Sequence, residues 1–498
     1  MISDKKTPFY SQKLDDKYNL LSRSIGIDTQ TQSLSTRTIE SSNIVSDKDK
    51  GLNGKLLNFS FTVSPSAYID WNNSNMEIGF TFSNTAKTTI AKNVSIPWNL
   101  LLYIFEEIKV KFNGTVVFNK VAGEYLETQT FKLLTEYTNE ELNSSEIVFA
   151  PVGDYNYQIG IDGAYKFKGN DDKSSDDPNA DIRFQNWISP LADSYSITRY
   201  KRPTFRDLFF NMPGFSKNLR NVNIDVKLKN SIPLPKVVST DADGVMTIKY
   251  MRLQLHEYNF SPSAAISALN NKINGEDEHL SFIDVNKQDR IYSPYVTVTN
   301  QENVQWVAVT QFSHNVESVV NGKTKGQYQN CGHFLLMNGY ATKDSNAAVN
   351  TLLHRSDLPP TTNAATPVFT NGNACYAPMS SIQAQYGSIM YPSNAIDTGV
   401  DGSDSLLKTD ELYSEYRKSV GFRNPAVPED IFRRTMPFFM VKFTPNIKLI
   451  QSGDIMIRMP GFDGSVNTAV KKLSVIYGQL KSYNISPSGI VSETIPSY

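Results

Sequence analysis

Apolar and polar residues alternate along much of the chain from Leu57 onward, and this alternation predicts β-strands. The clearest run is Ile78, Phe80 and Phe82, which alternate with polar or small residues as in a strand with one buried face. Segments of similar character, separated by polar turns, predict further strands at 206–258, 296–298, 304–312, 333–337, 438–443, 454–459 and 473–483.

A β-hairpin is predicted at 108–118, where two alternating runs flank the pair Asn113-Gly114. Asn-Gly between alternating runs is a strong hairpin signal, because both central residues of a type I′ turn need a positive φ. Asn and Gly are the residues that adopt this backbone conformation most readily. The pattern therefore predicts a tight turn with a strand on either side.

One helix interrupts the strands of the first half. Leu126, Leu133, Leu134 and Tyr137 follow the spacing of a helix with one apolar face, and charged residues lie between them. A second short helix is predicted at 411–420. The chain is therefore expected to be mostly β-structure with a few short helices.

Part of the midpoint of the chain is repeated near its end. Residues 255–263 read LHEYNFSPS, and residues 480–488 read LKSYNISPS. Each copy follows a similar extended segment, 224–228 in the first half and 455–459 in the second. A long internal period of this kind indicates two copies of one domain rather than an array of short repeats.

These patterns predict an all-β fold of two tandem, eight-stranded jelly-roll β-sandwiches, a double jelly roll, with long inserted loops. Many short strands with frequent turns are typical of sandwiches, and the repeat indicates that there are two. The expected division of the chain is an N-terminal arm at 1–54, a first jelly roll at 55–260, a linker at 261–285, a second jelly roll at 286–490 with a loop insertion at 341–408, and a C-terminal tail at 491–498.

Composition and charge exclude several classes of protein. The 498 residues include 49 Lys and Arg against 50 Asp and Glu, so no overall charge attracts nucleic acid. Cys331 and Cys375 lack metal-ligand spacing and form no disulfide framework, which predicts synthesis in a reducing compartment. No signal peptide is evident, and the apolar stretch at 100–105 is far below the ~18 residues that span a bilayer.

Three short motifs imitate catalytic or binding sequences incompletely. His256-Glu257 begins like a zinc-protease helix, but the fifth position is Phe260 and the segment has a strand pattern. Residues 322–324 resemble the end of a phosphate-binding loop, yet the glycine required five residues earlier is Glu317. Residues 397–402 resemble a calcium loop but lack two of its oxygen ligands.

Other candidates for chemistry are no stronger. The acidic run at 171–177 is interpreted as a solvated loop. The histidines show no ligand spacing; they are His256, His279, His314, His333 and His354. We therefore expect no catalytic residues, no cofactor and no metal site, and we expect that the protein is not an enzyme.

Several stretches, taken in chain order, resemble the double jelly-roll major capsid proteins of polinton-like viruses, virophages and their relatives. Segment 97–118, an apolar lead-in followed by a strand and an Asn-Gly hairpin, is similar to an early segment of that family, and 124–134 resembles the helix that follows. Segment 253–269 resembles the bridge between the two rolls. The likeness is also carried by Tyr68-Ile69-Asp70-Trp71, by 76–82, by 206–209 and 224–228, which resemble later strands, and by 413–416 and 438–458.

The resemblance implies a structural protein of a viral shell. Three chains would form a homotrimer with a pseudo-hexagonal outline, and such trimers would tile an icosahedral capsid. The implied partners are neighbouring capsid trimers, penton and minor capsid proteins, and an inner membrane; strong direct binding to nucleic acid is not expected from a nearly neutral chain. The implied location is the virion, after synthesis in the host cytoplasm.

Two alternatives remain open at this stage. Aromatic-rich strands and scattered carboxylates are also found in carbohydrate-binding or carbohydrate-active β-sandwich proteins. A minor vertex or attachment protein of a virion would have a similar sequence character. The first alternative requires exposed aromatic rings for stacking, and the four Trp residues are Trp71, Trp98, Trp187 and Trp306.

Overall fold

The structure is a computed structural model. Its strands form two successive groups, one before residue 261 and one after residue 277. The structure describes residues 32–42, 51–63, 67–84, 98–121, 124–149, 157–159, 165–167, 196–211, 215–216, 219–234, 244–260, 277–292, 303–308, 313–320, 323–331, 334–342, 381–386, 389–397, 400–401, 404–407, 410–421, 424–429, 432, 438–442, 453–460 and 470–494.

The first group of strands forms a β-sandwich, called here the first sandwich. One of its sheets has the order β1-β12-β3-β8 and the other the order β2-β10-β4-β5, with antiparallel pairing throughout. Its strands are β1 (Gln32–Glu40), β2 (Leu56–Thr62), β3 (Ala67–Asn84), β4 (Phe105–Phe112), β5 (Thr115–Lys120), β6 (Tyr157–Ile159), β7 (Tyr165–Phe167), β8 (Ser196–Lys201), β9 (Phe215–Ser216), β10 (Asn221–Leu228), β11 (Pro233–Leu234) and β12 (Gly244–Phe260).

The second group forms the second sandwich, whose sheets have the orders β13-β24-β17-β22 and β14-β23-β18-β19. Its strands are β13 (Glu278–Tyr292), β14 (Asn303–Ala308), β15 (Ser313–Val320), β16 (Lys323–Cys331), β17 (Phe334–Thr342), β18 (Ser381–Tyr386), β19 (Ile389–Asp397), β20 (Val400–Asp401), β21 (Asp404–Leu407), β22 (Phe439–Lys442), β23 (Gly453–Pro460), β24 (Val470–Ile485) and β25 (Val491–Thr494).

The two sandwiches share one connectivity. If their eight main strands are counted along the chain, both have one sheet in the order first-eighth-third-sixth and another in the order second-seventh-fourth-fifth. This is the jelly-roll arrangement, so the predicted fold class is confirmed. The repeated segments also fall at equivalent places: 224–228 and 455–459 lie in the seventh strand, and 255–260 and 480–485 end the eighth.

The helices occupy corresponding positions as well. Both predicted helices are confirmed, and each follows the fifth main strand of its sandwich. The helices are α1 (Leu100–Tyr103), α2 (Glu124–Glu136), α3 (Asn139–Ser144), α4 (Phe205–Leu208) and α5 (Asp410–Val420).

Large aromatic residues fill the space between the sheets of the first sandwich. Trp71 is 2% exposed, and its ring centroid lies 5.4 Å from that of Phe205 and 6.2 Å from that of Phe112. Phe80 and Phe82 project from β3 into the same core and are fully buried. Rings of this size contribute much of the apolar area that drives folding.

The prediction that β3 buries only one face is wrong. Ile78, Phe80 and Phe82 are buried as expected, but Glu77 and Thr81 on the other face are only 1% and 5% exposed. Side chains of the neighbouring strands and of Arg202 cover that face around Glu77. An alternating pattern shows which face is apolar, but it does not show whether the polar face is covered.

The predicted hairpin is confirmed. Strands β4 and β5 pair on either side of Asn113 and Gly114, whose φ angles are 47° and 89°. The register shifts between Val110 and Lys111, so the pairing contains one irregularity close to the turn.

Several strands lie in segments that were predicted to be outside the two jelly rolls. Residues 32–40, assigned to the N-terminal arm, form β1 and pair with β12. Strand residues also occur in the predicted linker, at 278–285, and in the predicted C-terminal tail, at 491–494. The predicted insertion at 341–408 contains β18 and β19, the fourth and fifth main strands of the second sandwich. Strands β1 and β19 lie at sheet edges, and the largely polar β1 is held there by its hydrogen bonds to β12.

Segment 206–209 was expected to be a strand, and this is also wrong. Phe205–Leu208 form the short helix α4, which begins with a reciprocal capping box between Thr204 and Asp207. The side chain of each residue accepts a hydrogen bond from the backbone of the other, which satisfies two N–H groups at the start of the helix. The weak candidate strand 296–298 lies outside the described residues.

We predict that Gly114→Ala destabilises the protein by about 1–2 kcal/mol, because a Cβ atom is disfavoured at positive φ. No heavy atom outside its immediate neighbours lies within 4 Å of the position of that Cβ, so the cost is conformational rather than steric. Urea unfolding measures the change. Gly114→Asn is the matched control and should cost less, because Asn tolerates this backbone region. Equal losses for the two variants would contradict this explanation.

The interface between the two sandwiches as the candidate functional site

The described residues of the motifs singled out in the sequence lie in strands and are not gathered into one site. The described part of the chain contains no cluster of three or more His, Cys, Asp or Glu residues placed to hold a metal ion. His256 and Glu257 lie in β12, where Nδ1 of His256 is 3.4 Å from Oγ1 of Thr36 and Glu257 pairs with Arg37 at 2.7 Å. These contacts belong to the β1–β12 pairing and not to a zinc helix.

The other motifs are dispersed in the fold. Lys323 and Thr324 begin β16, the second strand of a hairpin, so no helix N-terminus follows them as in a phosphate-binding loop. Asp397 ends β19 and Asp401 belongs to β20. The acidic run at 171–177 lies outside the described residues. Among the described residues, no helix is long and apolar enough to cross a bilayer.

The most extensive specific interactions lie instead between the two sandwiches, around helix α2. Every residue of this helix from Tyr125 to Leu134 is buried, including Glu127, Gln129 and Lys132. A helix covered by only one sandwich would expose its polar side. Here the first sandwich lies on one side of α2 and the second on the other, so the polar residues need partners within the protein.

On the side of the first sandwich, α2 donates side-chain hydrogen bonds to segment 206–209. Tyr125, Gln129 and Lys132 reach backbone carbonyls of this segment over distances between 2.7 and 3.0 Å. Burial lowers the pKa of Lys132, while the nearby carboxylates of Glu136 and Asp207 oppose this shift. The helix is therefore held in one rotational setting by directional contacts.

Asp207 connects this helix to its surroundings. Its carboxylate accepts hydrogen bonds from the Tyr137 hydroxyl at 2.7 Å and from the Ser145 hydroxyl at 3.0 Å, in addition to those from Thr204. Burial and the charge of Asp207 raise the pKa of Tyr137. The tyrosine thus remains a hydrogen-bond donor at any ordinary pH.

Aromatic rings continue from the first sandwich into the second. The rings of Phe210 and Phe282 are stacked, with centroids 4.1 Å apart and planes 13° apart, and Phe118 lies 5.8 Å from Phe210. On the far side, Phe282 stacks against Tyr483 at 6.1 Å. The Tyr483 hydroxyl donates back to the carbonyl of Val117 at 3.5 Å. The rings of Phe210, Phe282 and Tyr483 are therefore buried at the centre of the interface.

Buried charges flank the aromatic stack. Lys120, at the end of β5, lies 2.9 Å from Asp284 of β13 and donates to the carbonyl of Val285 at 2.6 Å. Lys481 contacts the other carboxylate oxygen of Asp284 at 2.7 Å. Burial alone would raise the pKa of Asp284, but the two lysines outweigh it and hold that pKa below its ordinary value.

A second buried pair joins the sandwiches through α2. Glu127 of the helix contacts Lys287 of β13, and their side chains are 4% and 6% exposed. In both cross-sandwich pairs the residue from the first sandwich faces an opposite charge on β13. The two pairs have opposite polarity, Lys120 to Asp284 and Glu127 to Lys287, so a shift of β13 along the interface would leave charges unpaired.

Helices of the two sandwiches also meet directly. The Tyr416 hydroxyl of α5 donates to the carbonyl of Leu134 in α2 at 2.8 Å. Phe131 of α2 packs edge-on against Phe438, with ring centroids 5.8 Å apart. Beyond the end of α2, Asn139 donates to the carbonyl of Ala426 at 2.8 Å.

The C-terminal turn returns to the first sandwich at the predicted hairpin. Asn113 donates from its side chain to the carbonyl of Gly489 at 2.7 Å and accepts from the backbone N–H groups of Arg220 and Asn221 at 2.8 Å. One turn residue thus joins three parts of the chain. Sequence reasoning identified Asn113 as a turn residue only, since nothing in its neighbourhood indicates a partner 376 residues away.

Stacked rings, paired charges and helix contacts join the two sandwiches. Apart from the apolar face of α2, the residues that make these contacts were not identified as interface residues from the sequence. Glu127 and Lys132 are charged residues of helix α2, and the structure shows that both are buried. Their place in a predicted helix was the one feature of the sequence that pointed to them. Lys120, Asp284 and Lys287 offered none, because charged residues in strands are ordinarily exposed.

Comparison with known proteins finds this fold in viral capsids. Over 94% of the chain, the structure is similar to a chain of the Sputnik virophage structure determined by cryo-EM, with a TM-score of 0.53, 10% sequence identity and 89% of that chain covered. Over 95% of the chain it is similar to PBCV-1 VP54 fitted into a reconstruction of the virophage Sputnik, with a TM-score of 0.51, 8% identity and 99% of that chain covered.

A quasi-atomic model of the PBCV-1 virus capsid gives a similar result, with a TM-score of 0.50 and 8% identity over 94% of this chain and 97% of that one. No protein-family model matches the sequence, and no curated protein matches it. At such low identities the likeness is one of fold. The class defined by the fold and the interface is therefore the double jelly roll, as the sequence resemblance implied.

We predict that Asp284→Asn lowers the free energy of unfolding by about 3–5 kcal/mol, because it leaves the buried Lys120 and the partly buried Lys481 without a carboxylate. Urea unfolding measures this loss. The matched control is Glu107→Gln, which removes a half-exposed partner of Lys109 and should cost about 1 kcal/mol or less. Similar losses for the two variants would show that the Asp284 contacts do not stabilise the interface.

The same pair predicts a pH dependence. A carboxyl whose pKa is lower in the folded than in the unfolded state stabilises the fold above its unfolded pKa of about 4, and this contribution disappears as the pH falls through the folded pKa. The stability difference between the wild type and Asp284→Asn should be constant near neutral pH and should shrink below about pH 4. Unfolding measured from pH 7 to pH 2 tests this; an unchanged difference at pH 2 contradicts it.

Proposed function

We propose that this protein is a major capsid protein, which assembles as pseudo-hexagonal trimers into an icosahedral viral shell. The observation that carries the proposal is the pairing of two sandwiches of identical connectivity through a buried interface. The likeness to chains of virus structures over almost the whole of both chains supports it. Neighbouring trimers, penton and minor capsid proteins and an inner membrane are the proposed partners, and the virion is the proposed location.

The geometry suits a shell subunit for a physical reason. A shell needs subunits that meet their neighbours at fixed angles, and two sandwiches joined by a flexible linker alone would vary in their relative orientation. Here the buried pairs at Lys120 and Glu127 and the stack at Phe210 oppose such variation. This role needs no catalytic group, so the absence of enzymatic activity is part of the proposal.

The carbohydrate alternative gains no support from the two tryptophans whose side chains the structure describes. Trp71 and Trp98 are 2% and 3% exposed, so neither ring is available to stack on a sugar. Direct binding to the genome is not part of the proposal either, because the chain has a formal net charge of −1.

We predict that the purified chain sediments as a trimer, at about three times its mass of 55.9 kDa. Sedimentation velocity over a range of salt and pH measures this. A chain that stays monomeric under all these conditions contradicts the proposal. The copy number in purified particles separates the major protein of a shell from a minor vertex or attachment protein.

A further inference from the structure

A lysine, a carboxylate and a carboxamide meet at the interface between the two sandwiches. Lys120 ends β5, and its Nζ lies 2.9 Å from the carboxylate of Asp284 and donates to Oδ1 of Asn286 at 3.2 Å. Asp284 and Asn286 are two residues apart in β13, so their side chains project from the same face of that strand. An amine, a proton acceptor and an amide carbonyl group are therefore in contact around one nitrogen atom.

The charges at this site are uneven in number. Lys120 and Lys481 both contact Asp284, and within the part of the chain that the structure describes neither lysine has another carboxylate at ion-pair distance. The side chain of Lys481 is 25% exposed, so water also hydrates it, whereas that of Lys120 is only 3% exposed. A buried charge that shares its counter-ion is costly. A reaction that removes the charge of Lys120 leaves Asp284 and Lys481 as a matched pair.

The surroundings favour the neutral amine that such a reaction needs. The ring centroid of Phe118 lies 5.7 Å from Nζ of Lys120, and the Asp284 side chain is 5% exposed. In surroundings of low polarity the charged forms of both groups are disfavoured, so a proton can pass from the ammonium to the carboxylate. Burial would raise the pKa of Asp284, but the two lysines hold it below its ordinary value. Asp284 is therefore a carboxylate at neutral pH, able to accept that proton.

The carbonyl carbon of Asn286 is close to the amine. Because a carbonyl bond is about 1.2 Å long, Nζ of Lys120 lies no more than about 4.4 Å from Cγ of Asn286. Nucleophilic attack requires the reacting atoms to approach to about 3–3.5 Å, and rotation of the two side chains covers the difference. Groups held together in this way react as if each were at a very high concentration.

We propose that Lys120 and Asn286 become joined by an intramolecular amide bond between the two sandwiches, with Asp284 as the proton carrier. Asp284 takes a proton from Nζ of Lys120, and the Nζ lone pair attacks Cγ of Asn286 to form the new C–N bond. Asp284 then protonates Nδ2 of Asn286, the Cγ–Nδ2 bond breaks, and ammonia leaves. Overall, a lysine ammonium and a carboxamide become a secondary amide and an ammonium ion, without an oxidant or a cofactor, and the Asp284 carboxylate is regenerated.

Such a bond fixes the two sandwiches to each other covalently. It closes a segment of the chain between residues 166 positions apart. A covalent link across so long a segment restricts the unfolded chain, as a disulfide does, and it requires no oxidising compartment. The reaction occurs once in each chain and involves no turnover of a substrate. It does not depend on the capsid proposal.

The test is the intact mass of the purified full-length chain, measured by mass spectrometry under denaturing conditions. The wild type should be lighter than the mass of its sequence by one molecule of ammonia. Protease digestion should release a branched peptide that contains both Lys120 and Asn286. The variants Lys120→Arg and Asn286→Ala, which each remove one reacting group, should have the full mass of their sequences. Asp284→Ala keeps both reacting groups but should also retain its ammonia.

The matched control is Lys111→Arg. Lys111 pairs with Asp225 at 3.0 Å, and Asn58 donates to the same carboxylate, so this site contains the same three residue types. Its lysine and aspartate side chains are 31% and 22% exposed, however, and the contact between lysine and asparagine found at Lys120 is not among its hydrogen bonds in the described part of the chain. Lys111→Arg should therefore still show the loss of one ammonia.

The outcomes are distinct. A wild-type chain with the full mass of its sequence overturns the inference, and this result stands even if every variant fails to fold. A loss of ammonia that persists in Lys120→Arg places the reaction elsewhere, for example at Asn113-Gly114, and also overturns it. An undiminished loss in Asp284→Ala overturns the role of Asp284 as proton carrier. None of these results bears on trimer formation, which sedimentation measures separately.

Discussion

Burial of helix α2 on both sides is the constraint on which the rest of the structure depends. Water does not reach the polar side chains of a helix that is buried between two sandwiches. Each of these side chains therefore needs a hydrogen-bond or ion-pair partner within the protein. Gln129 and Lys132 satisfy this requirement toward the first sandwich, and Glu127 satisfies it toward the second. The orientation of the two sandwiches thus follows from the hydrogen-bonding needs of one helix.

Stacked rings and buried charges have different roles in this interface. The rings of Phe210, Phe282 and Tyr483 remove apolar area from water, which favours association without defining its direction closely. Buried ion pairs contribute little net stability, but separating one leaves an unpaired charge at a cost of several kcal/mol. The ion pairs of Asp284 and Lys287 therefore mainly fix the position of β13 against β5 and α2. Any other position would separate the pairs and lower the stability of the fold.

The two sandwiches of this chain share one backbone arrangement. Because both have the same strand connectivity, each main strand of one sandwich has a counterpart in the other. The equivalence is one of backbone arrangement and not of side chains. The face that carries Phe282 and Asp284 in the second sandwich carries Thr36 and Thr38 in the first, so equivalent faces of the two sandwiches differ in their chemistry.

The sequence by itself determined the local elements and the repetition of the domain. The Asn113-Gly114 turn, helix α2 and helix α5 follow from backbone preferences and apolar spacing within a dozen residues, and the echo of 255–263 marks the duplication. Only the tertiary structure decided that β1 is a strand, because its hydrogen-bonding partner β12 is distant in the sequence. It also decided the partners across the interface, since such pairing depends on packing that no local pattern encodes.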